Sequence, residues 1–282
     1  MNYAHPETLV ETQWLAKHLS DPQLRIIEMD LDSKAYDEEH IPGSIFWSTF
    51  DLLQPNLKII NPEAMSKLLS DSGIDRHTTV VAVHNNYIGT SGWIFWLLKL
   101  CGHESVKILN GGRSKWQQEN LPFTTDKTEH KANYQIDEYK NYLRLSSTEV
   151  KESFERESII LLDVRTPAEY KGEIYLREPP KPDEKAGHIP GAINIYYEQA
   201  HNSDGTFKSA DELHAIYGDL ISTDKTIIPY CAIGARSAHT WFVLKYLLGY
   251  DRIKNYDGSW NEWSKLDNVP IANQPEFEII QN

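Results

Sequence analysis

The chain has 282 residues, and 28 Lys and Arg against 41 Asp and Glu leave a net charge of −13 at pH 7. That length suits two domains of ordinary size, and 40% hydrophobic with 24% charged residues excludes general disorder, collagen-like repeats and coiled coil. The acidic balance speaks against phosphate backbones and anionic membrane surfaces as partners, and two cysteines, Cys101 and Cys231, are too few for a disulfide framework or a cysteine-based zinc site and fit a reducing cytoplasm.

No basic region followed by an apolar stretch opens the chain, so no signal peptide is expected. No run approaches the ~18–20 apolar residues that span a bilayer. In chain order, the first recognisable unit is Glu39-His40-Ile41-Pro42-Gly43-Ser44-Ile45, a turn in which Pro fixes φ and Gly supplies the reversal. Thr79–Val83 reads as a buried strand, and Trp93–Leu100 after it as an apolar helix with Cys101 at its end. Residues 131–142 close a polar stretch without periodicity and read as a linker between an N-terminal domain, 1–130, and a C-terminal domain, 143–282. Beyond it, Ser158–Val164 and Thr226–Tyr230 read as strands, and Ser237–Leu248 as a helix closed by Gly249. Alternating strands and helices imply an α/β fold, in each half a small parallel sheet with helices on both faces. Such sheets bind ligands at the carboxyl ends of their strands, so a site belongs in the loops after Val83 or Tyr230.

The two halves are copies. His40-Ile41-Pro42-Gly43 returns as His188-Ile189-Pro190-Gly191, 148 positions on, and Gly102, Gly111 and Trp116 match Gly249, Gly258 and Trp263 at an offset of 147. A residue kept in both halves is explained by the shared fold, so His40, His188, Trp116 and Trp263 are read as structural. Eight Trp and 15 Tyr without a basic groove do not make a nucleic-acid surface. At the same offset Cys231 faces His84: one half has a thiol after its strand and the other does not. Cys101 lies opposite Leu248 in a helix and reads as a buried structural thiol.

Cys231 sits in Tyr230-Cys231-Ala232-Ile233-Gly234-Ala235-Arg236-Ser237, between a strand and a helix N-terminus. Successive backbone N–H groups of such a loop can form an anion-binding concavity. The helix terminus contributes about half a positive charge, and Arg236 a full one. Both favour the thiolate, which is the nucleophile. Cysteine phosphatases place Arg six residues after Cys, whereas Arg236 is five after Cys231. The smaller ring suits a persulfide sulfur or the end of thiosulfate better than phosphate.

Together with Leu161-Leu162-Asp163-Val164-Arg165-Thr166-Pro167-Ala168-Glu169-Tyr170 and Gly187-His188-Ile189-Pro190-Gly191, the Cys-x-x-Gly-x-Arg-Ser loop resembles the rhodanese family, in the family's order. Tandem domains with the thiol only in the second are similar to two-domain thiosulfate sulfurtransferases of the actinobacterial type. The resemblance implies that Cys231 takes sulfane sulfur from thiosulfate as a persulfide and passes it to cyanide, a dithiol or a thioredoxin-like protein, by double displacement. It implies Ala232, Ile233, Gly234, Ala235, Arg236 and Ser237 as the substrate cradle, with Arg165 either assisting or bracing the strand end through an acidic neighbour. It implies no metal and no organic cofactor, a catalytically inactive N-terminal domain and a cytoplasmic enzyme. Ala232 and Ile233 replace the basic residues that many thiosulfate-preferring members carry, and the Cys-Gly-Ser-Gly of mercaptopyruvate-preferring members is absent. Glu169 stands near a position where some members have a substrate-binding Arg. A 3-mercaptopyruvate sulfurtransferase, or a sulfur-carrier or regulatory module with little turnover, are the alternatives. The Pro-rich insertion 171–186 either lines an interdomain cleft and shapes acceptor access or is a surface excursion.

Overall fold

In a computed structural model, which describes residues 2–153, 156–175, 178–221 and 224–273, apolar runs too short for helices become parallel strands buried on both faces. The first half contains β1 (Leu9–Val10), β2 (Leu24–Asp30), β3 (Ser44–Ser48), β4 (Thr79–His84) and β5 (Val106–Leu109), ordered β1-β5-β4-β2-β3 and all parallel. The second half contains β6 (Ile159–Asp163), β7 (Ile193–Asn194) and β8 (Thr226–Tyr230), ordered β7-β6-β8 and also parallel. Helices α1 (Thr12–His18), α2 (Lys34–Glu38), α3 (Pro62–Asp71), α4 (Gly89–Leu100) and α5 (Gly112–Gln118) cover the first sheet. Helices α6 (Ser147–Ser153), α7 (Pro167–Tyr170), α8 (Ala210–Ile221), α9 (Ala235–Phe242) and α10 (Ser259–Trp263) belong to the second.

The duplication is visible in side-chain detail. The His40 Nδ1–H donates to the Tyr36 carbonyl at 2.9 Å and the His188 Nδ1–H to the Tyr170 carbonyl at 2.8 Å, each ring stacked on that tyrosine. The Trp116 indole N–H donates to Pro122 O and that of Trp263 to Pro270 O, both indoles fully buried. These two pairs of equivalent residues therefore bond within their own domains.

The domains meet helix to helix. Helices α4 and α9 occupy equivalent places in the two halves and pack against each other, so that equivalent residues touch near a pseudo-twofold axis. Gly92 and His239, 147 positions apart, are in backbone contact there, and so are Gly89 and Arg236. The largest hydrophobic core runs through this junction, joining Trp93, Phe95 and Trp96 to Trp241, Phe242 and Leu244. A second core lies on the far face of each sheet, around Trp116 in one half and around Trp260 and Trp263 in the other.

Three segments differ in detail from the sequence reading, the first being the apolar helix expected over Trp93–Leu100, which begins at Gly89. The helix expected over 237–248 begins earlier, at Ala235, and its last turn widens into a π turn over Val243–Leu247 before Gly249 reverses the chain at φ +73°. The segment 131–142 has no strand or α-helix, but it is a strap rather than a free tether. Ala132 N–H donates to Ser70 O, Ile136 N–H to Ser66 Oγ and Tyr139 O–H to Ile60 O, and Tyr134, Ile136 and Tyr139 are buried. No described helix is long and apolar enough to cross a membrane.

Candidate active site

The carboxyl ends of the strands of both sheets open onto one interdomain cleft of about 780 Å³. Residues following β2 and β3 (Leu31, Phe50, Leu53) and the β4–α4 connection (Tyr87) form one wall. Residues following β6 and β7 (Thr166, Glu169, Tyr196, Tyr197) and the loop after β8 form the other. Cys231 lies in this lining with 1% exposure, so its sulfur is reached only through the cleft.

The loop holds the sulfur in place by backbone geometry. Gly234 adopts φ +93°, and a Cβ there would come within 2.6 Å of Asp257 O, so only glycine fits. That turn aims the Gly234 N–H at Cys231 Sγ at 3.2 Å and starts α9, whose N-terminal end faces the sulfur. The Ser237 and Ser259 hydroxyls stand 3.7 Å and 3.9 Å from the same atom. Burial pushes the thiol pKa up, but Arg236 and hydrogen bonds from the Ser237 and Ile233 amides and the Ser237 hydroxyl outweigh it and hold Cys231 below an ordinary thiol. In Cys101 the balance is reversed: burial at the end of α4 pushes its thiol up strongly, and Arg76 offsets only part of that.

The expected cradle divides in two. Ala232, Ile233, Ala235 and Arg236 line the cleft, while Gly234 and Ser237 are buried behind the sulfur and act on it from the protein side. Arg236 does not face the cleft as a free cation. Its two terminal nitrogens donate to both oxygens of Glu169 at 2.8 Å each, and Glu169 also caps α7 by accepting from Thr166 N–H and Oγ1–H. Burial alone would raise the Glu169 carboxyl; Arg236, with Arg165 nearby, brings it below the usual range.

Arg165 does not line this cleft. Its guanidinium is 2% exposed, donates to both oxygens of Asp163 and to Gly187 O at 2.7 Å, and lies 4.6 Å over the Trp260 ring. Its donors are held by Asp163 and Gly187 O in the protein interior, the arrangement of a brace at the strand end. Of the insertion 171–186, Ile174, Tyr175, Glu178, Pro179, Lys181 and Glu184 line the cleft, so it is not a plain surface excursion. Leu176 and Arg177 lie outside the described residues.

Sequence reasoning missed the support beneath the loop. Ser259 accepts from Cys231 N–H at 3.0 Å and has a left-handed backbone, φ +53°, strain that a non-glycine residue tolerates only where its surroundings enforce it. The first N–H groups of α10 donate to the Cys231 and Ala232 carbonyls, from Trp260 and Asn261, at 2.9 Å each. Asp257, whose backbone abuts Gly234, is held bidentately by Arg144 from before α6. The only sequence hint was the run Asp257-Gly258-Ser259-Trp260, which sits 26 to 29 positions beyond Cys231.

Where the first domain has His84 in place of the thiol, three buried histidines gather at the junction. His201 Nδ1–H donates to Gly205 O, so its Nε2 accepts from His239 Nε2–H at 2.7 Å, and His84 packs beside them with Nδ1 3.2 Å from Ser91 Oγ. That pattern requires neutral rings. Burial holds all three below the ordinary histidine value, His84 at about 3, His201 at about 4 and His239 well below that ordinary value. Unfolded histidines protonate near pH 6.5 while these do not, so stability is complete above that pH and is lost as pH falls toward 4. Asp257, pushed up to about 6 by burial, opposes this with one proton. Urea unfolding midpoints should therefore decline steadily from pH 7 to pH 5, with a net uptake of about two protons on unfolding; a flat profile over that range would mean the histidines are not buried neutral.

The Rhodanese-like domain family matches the chain twice, over residues 11–119 and 146–266. The chain is 45% identical to the sulfur carrier protein TtuD of Thermus thermophilus, over 98% of this chain and all of that relative. It is 39% identical to a thiosulfate sulfurtransferase of Corynebacterium glutamicum, over 95% of this chain and 91% of that one. Among solved structures, the anaerobic ergothioneine biosynthesis enzyme from Chlorobium limicola, in complex with trimethyl histidine, superposes with a TM-score of 0.83 at 25% identity, over 95% of this chain and 71% of that chain. Two copies of the domain, relatives at these identities across nearly the whole chain and a Cys-x-x-Gly-x-Arg-Ser loop at the strand ends lead to one assignment: the chain belongs to the rhodanese family.

Proposed function

We propose that the protein is a thiosulfate sulfurtransferase in which Cys231 carries the sulfur. The observation that supports it most is the placement of the Cys231 sulfur at the floor of the cleft, under the Gly234 N–H and the N-terminal end of α9. The thiolate attacks the outer sulfur of thiosulfate, the sulfur–sulfur bond breaks, and its electron pair leaves with sulfite. A Cys231 persulfide remains, its terminal charge stabilised by loop amides fixed before the reaction begins. Cyanide then attacks that outer sulfur and departs as thiocyanate, returning the electron pair to Sγ. Ala232, Ile233, Gly234, Ala235, Arg236 and Ser237 form the surroundings of the transferred atom, and the N-terminal domain, with His84 in place of the thiol, supplies a wall of the cleft and no chemistry of its own. In the cell a thiol takes the place of cyanide as acceptor, and a dithiol or thioredoxin-like protein of the cytoplasm is the class that the family resemblance implies.

A sulfur-carrier role is the second reading, favoured by the Glu169 clamp on Arg236, which weakens the pull on a dianion such as thiosulfate. Initial rates of thiocyanate formation decide between them. The proposal expects parallel double-reciprocal lines for thiosulfate and cyanide, the pattern of two successive displacements. A kcat/KM for 3-mercaptopyruvate above that for thiosulfate would change the assigned donor. Persulfide formation without turnover on either donor would leave the carrier.

A further inference from the structure

The cleft is far larger than thiosulfate or cyanide needs. At about 780 Å³ it falls within the range of pockets that enclose whole organic ligands, ~300–1,000 Å³. Its surface is unlike an anion site. Leu31, Phe50, Leu53 and Leu57 give the N-terminal domain's wall an apolar face, and Phe50 is 62% exposed there, the most exposed Phe among the described residues. Tyr87, Tyr175 and Tyr196 add aromatic rings around the same space.

The charges point the same way. Both cations in the lining are matched by carboxylates, Arg236 by Glu169 at 2.8 Å and Lys181 by Glu184 at 3.9 Å. Glu178 and Glu198 also line the cleft, and neither forms an ion pair with a described residue. Tyr197 O–H donates to Glu198 at 2.9 Å, which fixes that carboxylate at the wall, where no described cation pairs with it. Carboxylates beside aromatic faces are a favourable setting for an ammonium group, and the net charge of −13 steers cations toward it.

We infer that the acceptor this cleft is built for is a small cationic thiol with an apolar body, its body on the Phe50–Leu53–Leu57 wall and its positive charge at Glu198 and Glu178. The inference rests on Cys231 persulfide chemistry as proposed above. The acceptor thiolate attacks the outer sulfur, the bond to Cys231 Sγ breaks with its electron pair returning to Sγ, and the acceptor leaves as its persulfide. No further oxidant or reductant takes part.

Two arms test it separately from the persulfide reading. In the first, Cys231 is loaded with inorganic polysulfide and discharged by 4-(aminomethyl)benzyl mercaptan or by 4-(mercaptomethyl)benzoate, which match in size and differ in charge. The cationic thiol should react faster by about tenfold or more, the scale set by one partly desolvated charge contact, and Glu198→Gln with Glu178→Gln should shrink that ratio several-fold. Because the ratio is compared between wild type and variant, intrinsic thiol reactivity and the fraction of active protein cancel. Phe50→Ala should slow both benzyl thiols relative to cysteamine. In the second arm, Cys231→Ser is titrated calorimetrically with benzylamine and benzoate, which needs no sulfur transfer; tighter binding of the amine is expected. Failure of loading alone would sink the persulfide reading and leave the second arm standing. Equal or reversed preference in the binding arm, or a rate ratio unmoved in the Glu variants, would overturn the cationic acceptor.

Discussion

Cys231→Ser is expected to lower thiosulfate:cyanide turnover by at least about a thousandfold, the scale of losing a covalent nucleophile, while the protein stays folded. Serine fits the space of Cys231 and keeps the Gly234 N–H partnered, but its hydroxyl has no means of becoming an anion there: the influences that lower the thiol fall far short of an alcohol's needs. Cys101→Ser makes the opposite pair of predictions. Cys101 is 2% exposed in the central core at the end of α4, with a thiol pushed up by burial, so its replacement should leave turnover near wild type. It should cost stability by about 1–3 kcal/mol, because a hydroxyl enters an apolar site. Rates and unfolding midpoints of both variants separate the two thiols. Comparable loss of turnover in both would mean that neither is uniquely the carrier.

Gly92→Ala should destabilise the protein, and the sign is the informative part. In a helix interior, Gly→Ala ordinarily stabilises by about 1 kcal/mol. At Gly92 a new Cβ would stand 2.5 Å from His239 Cα and 2.8 Å from His239 Cβ, across the α4–α9 contact. Backbone atoms of the facing helix cannot give way as a flexible side chain would, so the helices must separate. Overpacking of this kind costs about 1–3 kcal/mol or more, lowering Tm by a few degrees per kcal/mol in a chain of this size. The cleft that holds Cys231 lies between the same two domains, so turnover should fall as well. Gly218→Ala is the control: Gly218 lies within α8 with open space where its Cβ would go, and there the ordinary stabilisation should appear. If Gly92→Ala were as stabilising as Gly218→Ala, the close approach of α4 and α9 would be wrong.

What the sequence made legible was whatever repeats or is contiguous. The duplication assigned structural roles to His40 and His188, and both imidazoles bond to the tyrosine carbonyl of their own domain. The Cys231 loop was readable because strand end, glycine and helix start lie within eight residues, and that adjacency forces the amides toward the sulfur. Partnerships across the fold were not readable. Glu169 and Arg236 are 67 residues apart, and nothing in either motif says that the cation expected to meet the donor is already clamped. Arg165 was ambiguous for the same reason, since its direction depends on how Gly187 and Trp260 surround it. Ser259 escaped notice because its role comes from a strained backbone conformation that composition does not announce. The strap over 131–142 looked like a tether because its anchors are bonds to Ser66, Ser70 and Ile60 rather than a periodic pattern.

The clamp on Arg236 changes how the negative charge of the chain is to be understood. With that cation paired, attraction for an anionic donor falls to the loop amides and the helix terminus, which act over a few ångströms and leave the wider field repulsive. On the proposed function, a donor at Cys231 is therefore expected to be held chiefly at its sulfur.

Mass spectrometry of the intact protein and its peptides after brief incubation with thiosulfate tests the role of Cys231 most directly. A gain of about 32 Da, one sulfur atom carried as a persulfide, should appear on the peptide containing Cys231, vanish on addition of cyanide and be absent from Cys231→Ser. A gain located on Cys101, or no gain with any sulfane donor, would contradict Cys231 as the sulfur carrier.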